Sequence, residues 1–469
     1  MIVQADAVRG QSFDVCIVGT GPAGLILALE LSRLQPDRRI LLLEYGYGGD
    51  EKNDLDDAIQ IAMPKYHHPP EECTNKGLGG TSRTWGGRCV NYDEIDFLQR
   101  PIIGDDCTWN LDLYNQVEPF LKTSAGYFDC GEPEFDLGKI QHTGKRRISE
   151  RFVEGDVTDT VLERWSLPTR FGDRYGDEVV ARPNLFLLDG CKVTQIRAAA
   201  GVVKGVDAVD RRTGTDLSIQ AGQYVIAAGA QESTRLLLKS PEVFETVGGK
   251  PKALGLYYQG HISGKIASVK FSGDPKQTDY SFIIDDGAYV RRRFQFPTEV
   301  LLRENLLNIS IFLDNPLYYD PSHRNGTMSV IYLLMLMPVI GKRLAPPAIA
   351  ASVTKGRVYK VGGHLRNIVL GIPSSLIEPL RIFLKRYLSK RKLPGVFLYS
   401  PHNEYALHFH GEQVPSVNNR MELADDGETL VLRYGYEDAD VDSVIRAHRL
   451  LDEWLRKTNA GELVYWTTT

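Results

Sequence analysis

Gly19, Gly21 and Gly24 stand in the pattern Gly-x-Gly-x-x-Gly, written out as Gly19-Thr20-Gly21-Pro22-Ala23-Gly24, and an acid, Glu44, follows about 20 residues later. Glycines at this spacing do three jobs: a tight turn, close approach of backbone to a pyrophosphate, and close packing of helix on strand. An acid at that distance accepts hydrogen bonds from a ribose diol. A second kind of chemistry, proton transfer, calls for histidine. His408 and His410 lie on the alternating segment Tyr405 to His410, where positions i and i+2 share one face of a strand. They could act as base and hydrogen-bond partner, or be polar residues of a sheet lining a cleft. His67-His68 precede Pro69-Pro70 in an extended loop that could cover a site. No metal-ligating constellation and no Ser/His/Asp spacing stands out.

The elements that position these groups are legible nearby. Phe13 to Val18 reads as a buried parallel strand, Leu25 to Leu34 as an apolar helix, and Arg39 to Glu44 as a second strand ending on its acid. The helix N-terminus then presents unpaired N–H groups to phosphates. Strand, turn, helix, strand and acid in sequence point to dinucleotide binding. The Glu44 carboxylate would repel a 2′-phosphate, which disfavours NADP and leaves FAD and NAD open. Lys76 to Ser82 is a glycine-rich loop unsuited to strand or helix, with Thr81 and Ser82 as hydroxyl donors. Trp85-Gly86-Gly87 continues it. Gln223 to Ala230 reads as another buried strand running into small residues that leave room for a cofactor. Asp207 to Thr215 reads as a hairpin turn, and a helix starts at Glu232.

With these motifs in this order, the chain resembles the glucose–methanol–choline (GMC) flavin oxidoreductases. The likeness rests on the first glycine pattern, on Gly79-Gly80-Thr81-Ser82-Arg83-Thr84-Trp85-Gly86-Gly87 and on Ala227-Ala228-Gly229-Ala230-Gln231-Glu232-Ser233. It extends to Gly255 through His261 and to Glu412-Gln413-Val414-Pro415 with Asn419-Arg420. The resemblance implies an α/β fold: an FAD-binding Rossmann-like domain with a second, α+β substrate domain built on an antiparallel sheet. The expected division is 1–130 and 181–262 for the flavin domain, 131–180 as a connecting segment and 263–469 for the substrate domain.

It also implies bound FAD, with Gly19, Gly21, Pro22, Ala23 and Gly24 at the pyrophosphate and Glu44 at the adenosine ribose. Gly80, Thr81, Ser82, Trp85, Gly86 and Gly87 would lie along the flavin, Val193 would offer backbone to the adenine, and Ala228, Gly229 and Glu232 would complete the pocket. His261 would lie near the isoalloxazine or play a structural part. The implied reaction is hydride removal from the CH–OH group of a sugar or other alcohol to flavin N5. The family's catalytic histidine belongs to a C-terminal stretch after the last substrate-domain helix. Here that helix reads as Asp440 to Lys457, capped by Asn459-Ala460-Gly461, and a strand begins at Glu462 with no histidine motif beyond it. The expectation is therefore an oxidoreductase or, alternatively, a flavin-fold scaffold or half of a split enzyme that needs a partner chain for that histidine.

Composition bounds the rest. A chain of 469 residues exceeds one core and suits two. Its net charge of −5 gives no reason to expect nucleic acid. The six cysteines (16, 73, 89, 107, 130 and 191) form no CxxC pair, which fits a reducing cytosol. Met1 to Gln11 lacks the apolar core of a signal peptide, and the most apolar run, Val330 to Ile340, is about half a bilayer span. The expected location is cytoplasmic. One segment qualifies it: 342–392 carries twelve Lys/Arg against a single acid, Glu378. Within it Ser375-x-x-Glu378 reads as a capping box. The helix that follows sets Leu376, Leu380, Phe383, Leu384, Tyr387 and Leu388 to one side and Arg381, Lys385, Arg386 and Lys390 toward the other. The favoured reading packs that apolar side into the core; the other makes 374–392 a peripheral membrane contact.

Overall fold

The computed structural model describes residues 1–48, 59–104, 109–142, 144–145, 147–337, 339–341 and 360–466. Cys107, Pro338, the 342–359 part of the basic segment and 467–469 lie outside the described residues. Contacts divide the chain into two units, each assembled from three stretches. The first is Met1–Gly87, Thr169–Gln259 and Pro415–Tyr436; the second is Arg88–Pro168, Gly260–Val414 and Glu437–Thr469. Compared with the expected boundaries, 88–130 belongs with the second unit and 415–436 with the first. The latter follows from strand pairing: Leu430–Arg433 runs parallel to Ile59–Ile61 and antiparallel to Arg420–Leu423.

In the first unit the apolar run after Gln11 forms the strand Ser12–Val18, flanked on both sides by parallel partners. Ile40–Leu43 pairs with it from Val15↔Ile40, and Thr215–Ile226 from Ser12↔Gln220. Leu185–Leu188 extends the parallel sheet beyond Ile40–Leu43. On the other side Cys191–Ala199, Val202–Asp210 and Thr215–Ile226 form an antiparallel meander, whose last strand belongs to both halves. The Asp207–Thr215 turn is narrower than expected, because pairing continues to Asp210↔Thr215. The helix starts earlier than its apolar run, at Pro22, since proline suits the first helical position. It runs Pro22–Leu34 and buries Gly24, Leu25, Ala28 and Leu29, the i, i+1, i+4, i+5 face that packs on the sheet. The strand expected as buried at 223–230 ends at Ile226 and is only half-buried there, because its end opens onto a cavity.

The second unit is an antiparallel sheet in the order Gly461–Tyr465, Ile262–Phe271, Glu404–Gly411, Ile309–Asp314, Ala288–Gln295, Thr158–Trp165, Arg88–Cys89, with Ile283–Asp285 beside Ala288–Gln295. Alternation assigns its faces. Tyr405, Leu407 and Phe409 point into the main core, which also takes Val444, Ala447, Leu451 and Leu455 of the helix Asp438–Lys457. His408 and His410 point to the other face. Glu437 and Asp440 cap that long helix reciprocally, and Asn459 follows it in the left-handed region at φ 54°.

Three further helices of this unit pack together: Gly326–Leu336, Val361–Leu370 and Ser374–Phe383, the last continuing as a wider turn over Leu384–Leu388. Two expectations are corrected here. Ser375 and Glu378 form no capping box, because Ser375 Oγ donates to Ile368 O at 2.8 Å while Glu378 accepts from Thr327 Oγ1 at 2.8 Å. The apolar side of 376–388 is not core either. Leu376, Leu380, Phe383, Leu384 and Leu388 are all exposed, and Ser375 is the buried residue of Ser374–Phe383.

Candidate cofactor cavity and histidine face

The first unit contains a cavity of ≈ 680 Å³ at the end of the parallel strands. Its floor is the turn Val18 to Ala23, where strand gives way to helix. Each glycine of the turn has a different reason for being glycine. A Cβ on Gly24 would lie 2.1 Å from Gly19 O, so this residue serves helix–strand packing and does not line the cavity. A Cβ on Gly21 would meet nothing within 4 Å, so its backbone faces open space. Gly80, at φ +51°, stacks its backbone on Gly21, where an added Cβ would come within 3.0 Å of Gly21 Cα. The result is a bare-backbone cleft at a helix N-terminus, the surface that a pyrophosphate fits.

Glu44 lines the cavity, but its carboxylate is already engaged. Oε2 accepts from Thr20 N at 3.1 Å and Thr20 Oγ1 at 2.5 Å, and Oε1 from Gly46 N at 2.9 Å and Gly77 N at 2.7 Å. Four bonds fill a carboxylate's acceptor sites. A ribose diol would have to displace one, and only the Thr20 hydroxyl can rotate away without moving backbone. Glu44 therefore ties the glycine turn to the Gly77 loop.

Thr81 lines the cavity; its neighbour Ser82 does not. Ser82 is buried, donates to Gly79 O at 2.6 Å and accepts from Phe171 N at 3.0 Å, fastening the loop to the helix Phe171–Ala181. Trp85 likewise donates its indole N–H to Thr169 O at 2.8 Å. Neither Trp85 nor Gly86 nor Gly87 is among the cavity's lining residues, which do include Val193, Ala228, Gly229 and Glu232. Val193 lies on the edge strand of the sheet, whose outer backbone row has no strand beside it among the described residues.

Residues outside the expected cofactor contacts also close the cavity. Lys76 Nζ lies 3.1 Å from Glu232 Oε1 and 3.9 Å from the Tyr45 ring centre, and Arg235 pairs with the same Glu232. Thr74, Gln231, Tyr258 and His67 form a hydrogen-bonded row, with His67 Nε2 3.0 Å from Tyr258 Oη. Burial lowers the His67 pKa. Four of these had a signal: Lys76 opens the Gly77-Leu78-Gly79 loop, Gln231 lies in the Ala227–Ser233 motif, Tyr258 sits inside the Gly255–His261 motif, and His67 is on the loop read as a possible cover.

The second unit holds the three other candidate histidines. The His408 and His410 rings stack at 4.9 Å, with Phe312 at 4.8 Å from His408 and 5.6 Å from His410, and His261 lies 6.0 Å from His410. Ser263 Oγ is 3.2 Å from His408 Nε2. Arg88 lies over Phe312 at 4.8 Å and shares the buried Glu163 with Arg291. Burial first, then the cations, holds the imidazoles neutral: His408 is lowered to about 4 with Lys265 beside it, and His410 to about 3 with Arg88 beside it. These histidines are neutral across the physiological range, each keeping one ring N–H, and weak as bases. The cationic surroundings favour anions, including the alkoxide left when an alcohol loses its proton.

Residues 172–258 match the family model described as GMC oxidoreductase. Over 310 residues the chain is 24% identical to 6'''-hydroxyparomomycin C oxidase of Streptomyces lividus, an alignment covering 55% of each protein. It is 22% identical over 338 residues to pyridoxine 4-oxidase of Microbacterium luteolum, covering 60% of this chain and 63% of the relative. The chain thus spans little more than half the length of these relatives. A solved fungal aryl-alcohol oxidase aligns over 97% of this chain and 85% of its own, with 15% identity and a TM-score of 0.46.

Proposed function

We propose that this chain, related by sequence to the GMC oxidoreductases, is an FAD-dependent oxidoreductase acting on the CH–OH group of a sugar or other alcohol. The observation that carries the reading is the bare-backbone cleft of Gly21 and Gly80 at the head of the helix Pro22–Leu34, inside a cavity walled by Thr81, Val193 and Gly229. FAD, when bound, supplies at its N5 the two-electron acceptor for a hydride leaving an alcohol carbon. The chain's own residues bind and orient it. Gly21 and Ala23 would receive the pyrophosphate at the helix N-terminus, Val193 would border the adenine, and Lys76 and Arg235 would add positive charge that Glu232 partly offsets.

For the hydroxyl proton the second unit offers His408 and His410, side by side on one sheet face. His410, neutral at working pH, accepts the hydroxyl proton, and His408, held by Ser263, stands beside it. Arg88 and Arg291, two cations sharing the one carboxylate of Glu163, would favour the developing alkoxide while opposing the imidazolium, whereas Lys265 is paired with Asp314 at 2.6 Å. That opposition favours a second reading, in which the chain binds FAD but turns over only with a base from a partner chain.

The test is spectroscopic. The purified chain should carry the visible absorption of oxidised flavin, and the bands should bleach when it is held anaerobically with a panel of primary alcohols and sugars. A colourless protein that gains no thermal protection from excess FAD would overturn the reading. Bleaching lost in His410→Ala with the flavin retained would select the first reading. Bands that persist against every substrate would select the second.

A further inference from the structure

Two helices of the second unit, Val361–Leu370 and Ser374–Phe383, are built with their polarity reversed: their buried residues are His364, Asn367 and Ser375. With Thr327 and Ser329 of Gly326–Leu336 they form a buried polar set, beside Met328 and Tyr332 of that third helix. They are hydrogen-bonded there: Ser329 Oγ lies 3.1 Å from His364 Nδ1, Asn367 Nδ2 donates to Pro321 O at 2.9 Å, and Ser375 Oγ bonds Ile368 O. Close approach depends on small residues, since a Cβ on Gly326 would fall 2.6 Å from Ser375 Cβ. The side chains turned outward are Leu365, Val369, Leu370, Leu376, Leu380 and Leu388, each more than half exposed. In water, amphipathic helices do the opposite, burying leucine and exposing serine and asparagine. Small residues and satisfied polar groups inside, leucines outside, is the arrangement suited to lipid.

We infer that this face docks on an anionic phospholipid bilayer. No single described helix is long and apolar enough to cross a membrane, and the pair Val361–Leu370 and Ser374–Leu388 is bent by 95°, so it serves as a surface-seated element. Charge selects the lipid. Lys360, Arg366, Arg381, Lys385, Lys390 and Lys392 are exposed across 360–392, and the one acid of that stretch, Glu378, is bonded to Thr327. Lysine and arginine flanking an apolar face are drawn to anionic headgroups. A second copy of the chain, by contrast, would bring like charges together across a two-fold axis. The inference is independent of the cofactor reading.

The experiment is flotation of the full chain with phosphatidylcholine vesicles and with mixed phosphatidylcholine–phosphatidylglycerol vesicles, at low and high salt, alongside sedimentation velocity without lipid. The chain should float with the anionic vesicles only, and less at high salt. The triple variant Arg381→Gln, Lys385→Gln, Lys390→Gln should weaken partitioning on the order of a hundredfold. Leu376→Ser with Leu380→Ser and Leu388→Ser should weaken it at least about tenfold. Both variants should keep the wild-type circular dichroism and melting temperature, because every changed side chain is at the surface. Equal binding to neutral vesicles, or none to either kind, would overturn the inference. So would a wild-type dimer that the leucine variants dissociate, which would assign the face to self-association.

Discussion

Thr20 gives both its amide and its hydroxyl to one oxygen of Glu44, at 3.1 and 2.5 Å, while Gly46 and Gly77 take up the other. The acid therefore has a structural duty that precedes any ligand. Replacing it strands three buried amides, so Glu44→Ala should lower unfolding free energy by about 2–4 kcal/mol in the absence of FAD. Denaturant titration of the cofactor-free protein measures this. A variant as stable as wild type that has lost only FAD affinity would return Glu44 to ribose binding alone.

The two outer roles of the glycine turn separate by mutation. A side chain at 21 enters open space, whereas one at 24 meets the Gly19 carbonyl. Gly21→Val should leave the cofactor-free protein within about 1 kcal/mol of wild type yet abolish flavin fluorescence quenching on titration. Gly24→Val should destabilise by several-fold more, on the order of 3 kcal/mol. Equal loss of stability in the two variants would refute the division.

Acid should weaken the fold through its buried imidazoles. His448 is fully buried under Phe409, and burial lowers it from 6.5 to about 4; its Nδ1 lies 2.8 Å from Val444 O. Between pH 6.5 and 4 the unfolded chain takes up a proton that the folded one refuses, so stability falls as pH falls through that window. Below it both states are protonated and this contribution stops changing. His448→Phe should remove about 3 kcal/mol of that pH dependence, read as the difference between the two proteins' stability–pH curves. Parallel curves would refute it.

Arg164 is the largest fully buried side chain of the second unit. Its guanidinium bonds Cys130 O at 2.7 Å, Glu134 O at 2.9 Å and Asp285 Oδ2 at 2.8 Å. Arg164→Met leaves these acceptors buried without their donor and should cost about 3–5 kcal/mol. Thermal unfolding of the full chain would show it; a shift of under about 2 °C would contradict the assignment.

What the sequence disclosed was what short-range pattern encodes. Gly19, Gly21 and Gly24 announce a strand–turn–helix because the geometry is local, and His408 and His410 share a face because strands alternate. The duties of Glu44 and Ser82 were hidden, since their partners lie at Gly77 and Phe171, far along the chain. Thr81 and Ser82 look interchangeable as letters, yet one faces the cavity and the other the loop's own anchor. The periodicity of 374–388 marks an apolar side without saying whether protein covers it. The pairing of Leu430–Arg433 with Ile59–Ile61 left no local trace at all.

The alternation of the two units along the chain bears on how the molecule can be made. Five crossings separate six consecutive stretches, so no contiguous fragment holds one unit entire without long stretches of the other. The strand Ile262–Phe271 waits for Gly461–Tyr465 as its outer neighbour, nearly two hundred residues later in synthesis. During translation the emerging polypeptide must hold unfinished sheet edges apart, and chaperone dependence or aggregation on expressing truncated pieces is the practical result.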